Sequence, residues 1–188
     1  MTQALTLAQR NHDQQALCWV QGALAERDLS VGQPEGARGR LAPLLEAPGL
    51  MVSYSREALS LLAWAYLDLG EADQAQALLA QVLSTARQAQ MGPTLVQALR
   101  IQTLALSKQG RWEEAEQDLE EALRLCREMA TPYAEAKTLY SAGLVSRNRG
   151  EFEPSRQRFE AALTILERLD ERLYAQHIEQ LLGKGEHQ

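Results

Sequence analysis

Apolar residues recur along this chain at a helical spacing, and the spacing itself recurs. In REALSLLAWAYLDLG, Leu59, Leu62, Ala63 and Tyr66 fall at i, i+3, i+4 and i+7, one stripe of a helix. Gly70 predicts the stop, because glycine takes the left-handed C-terminal conformation without strain. Ala75, Leu79, Val82 and Leu83 then mark a second helix. So short a link makes the two helices antiparallel. Leu99, Thr103 and Leu106 lead in the same way to Gly110 and to Ala115, Leu119, Ala122 and Leu123. Leu139, Ala142, Gly143 and Ser146 lead to Gly150 and to Ser155, Phe159, Ala162 and Leu163. The three glycines are forty residues apart. Small residues stand where helices must approach (Ala63, Thr103, Gly143; Ala75, Ala115, Ser155), and large ones where gaps must be filled (Leu79, Leu119, Phe159).

Breakers separate the units: Ala47–Gly49, Met91–Pro93 and Thr131–Pro132. Pro93 and Pro132 are placed to open first helices, and Pro154 lies near the start of a second, where a missing N–H costs nothing. The pattern predicts repeats at 52–90, 93–130 and 132–169, with a long second helix accounting for the period. A divergent repeat is expected over 14–47. There Gly32 precedes Gly70, Ala37, Leu41 and Leu44 match the second stripe, and Pro43 predicts a kink. Gln3–Leu17 reads like Glu121–Ala136, so 1–12 is expected to be the second helix of a truncated repeat. Leu173, Tyr174, Ile178, Leu181 and Leu182 share a face, which predicts a capping helix over 171–183.

These stripes resemble the tetratricopeptide repeat, whose pattern is W-x2-L-G-x2-Y, then A-x3-F, then P. The closing proline is replaced by Arg87, Arg127 and Glu167, as expected if the second helix runs on. The resemblance implies an all-α solenoid of stacked antiparallel hairpins, a right-handed superhelix of about four hairpins plus the cap. The long period and the Ala/Leu/Arg/Gln wording also resemble the superhelical sensor regions of maltose-regulator-type bacterial transcription activators. That likeness implies a segment that senses an inducer or a partner, although neither a P-loop nor a helix-turn-helix is present in the sequence.

In the tetratricopeptide family the first helices line a concave groove. The resemblance therefore implies that Trp19, Glu57, Ser60, Trp64, Leu67, Arg100, Leu104, Lys137, Tyr140, Leu144 and Arg147 face a partner. Trp64 lies off its stripe and reads either as an aromatic floor for a peptide or as packing against a neighbouring unit. Arg100, Lys137 and Arg147 are available for carboxylates; for Arg100 and Arg147 the other reading is a solvated charge. The Lys/Asn clamp that grips chaperone tails is not reproduced, since Ser60, Trp64, Arg100 and Leu104 stand in its place. Trp112 and Phe152, each just after a turn glycine, read as hairpin core.

Composition agrees with helix: aromatics are 5 % of the 188 residues, and Ala, Leu, Gln, Glu and Arg dominate. A net charge of −6, with basic residues interspersed among acids, argues against direct nucleic-acid binding. Cys18 and Cys126 read as free buried thiols of a reducing compartment. No apolar run reaches membrane-span length and no leader opens the chain, so the expected location is cytoplasmic. There is no H-E-x-x-H, G-x-S-x-G, P-loop or C-x-x-C. His12, His177 and His187 have no ligand spacing, and the pairs Glu113–Glu114 and Glu120–Glu121 read as solvated surface. The expectation is a scaffold that binds a protein or peptide, with no catalytic residues, metal or cofactor. The alternative is a regulator's sensor segment that binds a small inducer. The exposed repeat end also offers a face for homodimer pairing.

Overall fold

The computed structural model describes residues 6, 7, 14–46 and 55–183. The expectation for 1–12 lies outside them except at Thr6 and Leu7, as does the breaker at Ala47–Gly49. Among the described residues the chain is helical with no strand: α1 (Gln14–Ser30), α2 (Pro34–Glu46), α3 (Ser55–Asp68), α4 (Ala72–Gln88), α5 (Gly92–Lys108), α6 (Trp112–Glu128), α7 (Pro132–Asn148), α8 (Phe152–Arg168) and α9 (Leu173–Gly183). Contacts divide it into two units, Met1–Val82 and Leu83–Gln188.

In the first unit α1 packs on α2, and both pack on α3. Cys18, Leu24, Ala25 and Leu29 of α1 are buried, as are Ala37 and Leu41 of α2. Asp28 is buried with them, 3 % exposed, and is held by Arg40 Nε at 2.6 Å and Arg27 Nη2 at 3.0 Å. Burial alone would raise the Asp28 carboxyl; the hydrogen bonds from Arg40 and Arg27 outweigh it and hold the pKa below the ordinary value. α2 runs on through Pro43 to Glu46.

In the second unit α5 and α6 form one hairpin and α7 and α8 the next. α7 lies against both α5 and α6, and α9 rests on α8 with a smaller contact to α7. One core gathers Leu106, Ala115, Leu119, Ala142 and Val145 between the hairpins, with Trp112 packed on it. Another gathers Ala136, Tyr140, Phe159, Ala162 and Leu166 with Tyr174, Ala175 and Ile178 of the cap. Close approach has a specific place: a Cβ on Gly143 would land in the Phe159 ring. Beside it Ser155 Oγ donates to the Gly143 carbonyl at 2.8 Å, tying α8 to α7.

The period has a different origin from the one the pattern suggests. First and second helices are equally long: α5, α6, α7 and α8 each have 17 residues, joined by three-residue links. Every link closes in the same way. The N–H of Arg111 reaches the Leu106 carbonyl at 3.0 Å, and the N–H of Thr131 reaches that of Cys126 at 2.9 Å. This is the 6→1 bond of a Schellman closure. Glycine supplies the left-handed residue inside each hairpin, at Gly32, Gly70, Gly110 and Gly150 (φ 74, 81, 71 and 82°). Between hairpins the same conformation falls to Gln90, Ala130 and Asp170 (φ 50, 51 and 50°), which composition did not signal.

Second helices bury one stripe, as expected: Ala115, Leu119, Ala122 and Cys126 in α6. First helices are buried on several faces. In α3 Ala58, Ser60–Ala65 and Leu67 are all buried, and in α5 so are Thr94–Val96, Ala98–Ile101 and Thr103–Ser107. A helix that is apolar around its circumference is an interior one. Phe152 corrects its assignment to the core: it is 69 % exposed, whereas Trp112 at the same place is half-buried. Trp112 packs on the cluster that contains Val145 of the following first helix.

Candidate functional site

The side chains implied for the groove fall into three groups. Trp19 (58 % exposed) and Glu57 face solvent. Lys137, Leu144 and Arg147, all on α7, are half-buried. Ser60, Trp64, Leu67, Arg100, Leu104 and Tyr140 are buried. Arg100 is the case furthest from a solvated charge: only 1 % of it is exposed. Its Nη1 lies 3.5 Å from the Tyr174 hydroxyl of α9.

The second unit brings together residues from four helices. Tyr140 sits at the centre, on the third turn of α7. Its ring meets Tyr174 edge-on at 5.2 Å between centroids and 74°, Phe159 at 6.0 Å and His177 at 5.6 Å. Edge-to-face packing of this kind places a positive ring edge on a negative ring face. The Tyr140 hydroxyl, buried at the polar end of the ring, shares a hydrogen bond of 3.2 Å with His177 Nδ1. Tyr133, one turn before Lys137, meets Tyr174 edge-on at 6.4 Å, and Lys137 Nζ stands 4.7 Å over its ring, a cation–π geometry. One turn beyond Leu144, Arg147 Nη1 donates to the Leu181 carbonyl at 3.2 Å. Asn148 Nδ2 donates to Ser107 Oγ at 3.2 Å, joining α7 to α5.

The pattern of stripes singled out Arg100, Lys137, Tyr140 and Arg147 but not their partners. Tyr174 stood in the cap only as an apolar position, His177 was weighed only as a metal ligand, and Tyr133 was not singled out at all. A polar residue beside an apolar stripe, as His177 is beside Tyr174 and Ile178, was the available signal. Among the described residues no group of three or more His, Cys, Asp or Glu is placed to hold a metal. Cys18 and Cys126 are buried and free, and burial pushes both thiols up, away from the reactive thiolate. No described helix is long and apolar enough to cross a membrane. What α5, α7 and α9 bring together is a packed cluster of aromatic rings, hydroxyls and guanidinium groups, with Tyr133 at its more exposed edge.

No curated protein matches the chain in sequence. In fold it resembles a crystal structure from Podosopora anserina, of nearly identical TPR-like repeats assigned to a kinesin light chain. That match has a TM-score of 0.55 at 18 % identity and covers 79 % of this chain and 74 % of the other. It speaks to the arrangement of helices alone. Two family models, both described as tetratricopeptide repeat, match residues 56–89 and 95–168, together more than half of the sequence. Their matched spans follow the helices described above, α3–α4 in one and α5–α8 in the other. Residues 56–89 and 95–168 of this chain are tetratricopeptide repeats.

Proposed function

We propose that the chain is a non-catalytic scaffold that binds a protein or peptide on the surface lined by its first helices. The observation that carries this reading is the repeat itself. A helical hairpin cannot bury its apolar face alone, and stacking hairpins leaves an extended surface whose residues are free to vary. In the second unit Lys137 and Arg147 of α7 stand half-buried and charged, and Tyr133 of the same helix is 38 % exposed. Aromatic and arginine side chains are the usual anchors of recognition.

The test is a pull-down from the source cell with the wild-type chain and a Lys137→Ala variant, read by mass spectrometry. Alanine is the best helix former and leaves no polar group unpaired in α7, so the variant is expected to keep its fold. Trp64→Ala is a poorer probe, because removing a buried tryptophan costs about 3–5 kcal/mol. A protein captured by the wild type and lost by the variant supports the scaffold. Equal capture by both rejects the first-helix surface as the binding face.

A second reading makes the chain the sensor segment of a multidomain bacterial transcription regulator that binds a small inducer. It rests on the forty-residue period, longer than the 34 residues usual for this repeat. A small ligand that raises the melting temperature of the isolated chain, where no protein is captured, would favour it.

A further inference from the structure

The hairpin of α5 and α6 is closed at one end by its turn at Gly110. At its open end, where the chain enters and leaves, a methionine meets a glycine. Gly92 is the first residue of α5 and Met129 caps the last turn of α6. A Cβ on Gly92 would stand 2.5 Å from Met129 Sδ, 3.4 Å from its Cε and 3.9 Å from its Cγ. Every side-chain atom of Met129 beyond Cβ therefore rests on the bare glycine. The polar bonds near the exit link run elsewhere. Thr131 returns both its Oγ1 (3.2 Å) and its N–H (2.9 Å) to the Cys126 carbonyl, and Arg127 Nε reaches Glu135 at 2.9 Å. The thioether is what reaches back across the open end to the entry link. The pairing is not repeated at the next hairpin: there the places of Gly92 and Met129 go to Pro132 and Leu169, and Leu169 is 43 % exposed. Met129 is half-buried, enclosed enough to pack and open enough for a small oxidant to approach.

We propose that Met129 is an oxidation-sensitive clasp, and that a hydroperoxide opens this end of the hairpin by converting it to the sulfoxide. The sulfur gives a lone pair to one oxygen of hydrogen peroxide. The S–O bond forms as the O–O bond breaks, and the second oxygen takes up the proton and leaves as water. Sulfur is oxidised by two electrons and the peroxide reduced by two. The thioether was apolar and pliant; the product is polar and chiral. Its oxygen either crowds the Gly92 backbone or turns the side chain out to water, and both open the contact. α7 begins three residues beyond Met129 and lies against α5. Opening the clasp therefore frees the spacing of these two first helices at their N-terminal ends. Sulfoxide is reduced back to thioether by methionine sulfoxide reductases, so the clasp can be reset.

The experiment treats the full chain with hydrogen peroxide and locates the added oxygen by peptide mass spectrometry. The urea midpoint and hydrogen exchange are read before and after. No partner enters, so the outcome stands apart from the scaffold reading. Oxidation at Met129 is expected to lower the midpoint. It is also expected to speed exchange at least ten-fold at the amides of Met91 and Thr131, whose bonds close the two links. A sulfoxide reductase should restore both. Peroxide should leave the midpoint of Met129→Leu unchanged, whereas Met91→Leu should respond as the wild type does. Gly92→Ala puts a methyl where the sulfur lies; Met129 should then oxidise faster, with little further loss of stability. Each chain is compared with itself before peroxide, so a less stable variant still gives an answer. If a variant does not fold, the wild type decides: the fast-exchanging fraction must equal the fraction oxidised at Met129. Full oxidation at Met129 with an unchanged midpoint overturns the proposal. So does a Met129→Leu chain that loses as much as the wild type, or a Met129 that peroxide does not oxidise in the folded chain.

Discussion

Asp118 shows how a single side chain can be at odds with its place. It lies on α6 with its Oδ2 buried and, in contrast to nearly every buried polar atom, without a hydrogen-bond partner. Burial raises its pKa, and the hydrogen bond with Gln102 and the charge of Arg87 only partly offset this. Relative to the unfolded chain, folding therefore shifts this carboxyl toward its protonated form. The sign follows from linkage: a carboxyl with a raised folded-state pKa weakens the fold as pH rises above its unfolded value. Asp118→Asn keeps the shape and removes the charge. It is expected to stabilise by about 1 kcal/mol at pH 7, and the gain should vanish as pH falls below the unfolded carboxylate pKa. Urea titrations of both chains at several pH values check this; a gain that does not change with pH would place its origin elsewhere. Asp28 runs the other way. Its carboxyl is held down, so its contribution is complete above the unfolded pKa and is lost as pH falls through the folded one.

Helix ends carry the strain that the repeat tolerates. Among the described residues four links place glycine at the left-handed position and three place Gln90, Ala130 or Asp170 there. A side chain in that region costs roughly 1–2 kcal/mol, and glycine's greater freedom in the unfolded chain returns part of it. Ala130→Gly is therefore expected to raise stability by about 0.5–1 kcal/mol, seen as a higher urea midpoint with an unchanged slope. The turn glycines were legible in sequence because glycine announces the conformation. Ala130 was not, because alanine is the best helix former and announces the opposite. The second helices were legible too: α6 alternates a narrow apolar stripe with Glu, Asp and Arg. Arg100 was not, for a one-letter pattern records its charge and not the tertiary packing that leaves it 1 % exposed.

At the scale of the molecule, repeats make stability local. A stacked array is close to a sum of hairpin terms and nearest-neighbour terms. Gly143→Ala tests that. Its new methyl would drive into the Phe159 ring at the crossing of α7 and α8, and overpacking of this kind costs about 1–3 kcal/mol. Native-state hydrogen exchange is expected to quicken in α7, α8 and α9 while α1 and α2 keep their protection. Uniform acceleration along the whole chain would show a fold more cooperative than a repeat array.

What the sequence by itself determined is the periodic part: helix type, the hairpin turns at Gly70, Gly110 and Gly150, and the large-to-small alternation at Leu119, Phe159, Thr103 and Gly143. Those follow from nearest neighbours along the chain, where spacing and backbone freedom are written directly in residue type. Only the tertiary structure decided that Arg100 is enclosed, that Tyr140 is tied to His177 and that Phe152 is bare. Each depends on which side chain a second helix, tens of residues away, presents at one point in space.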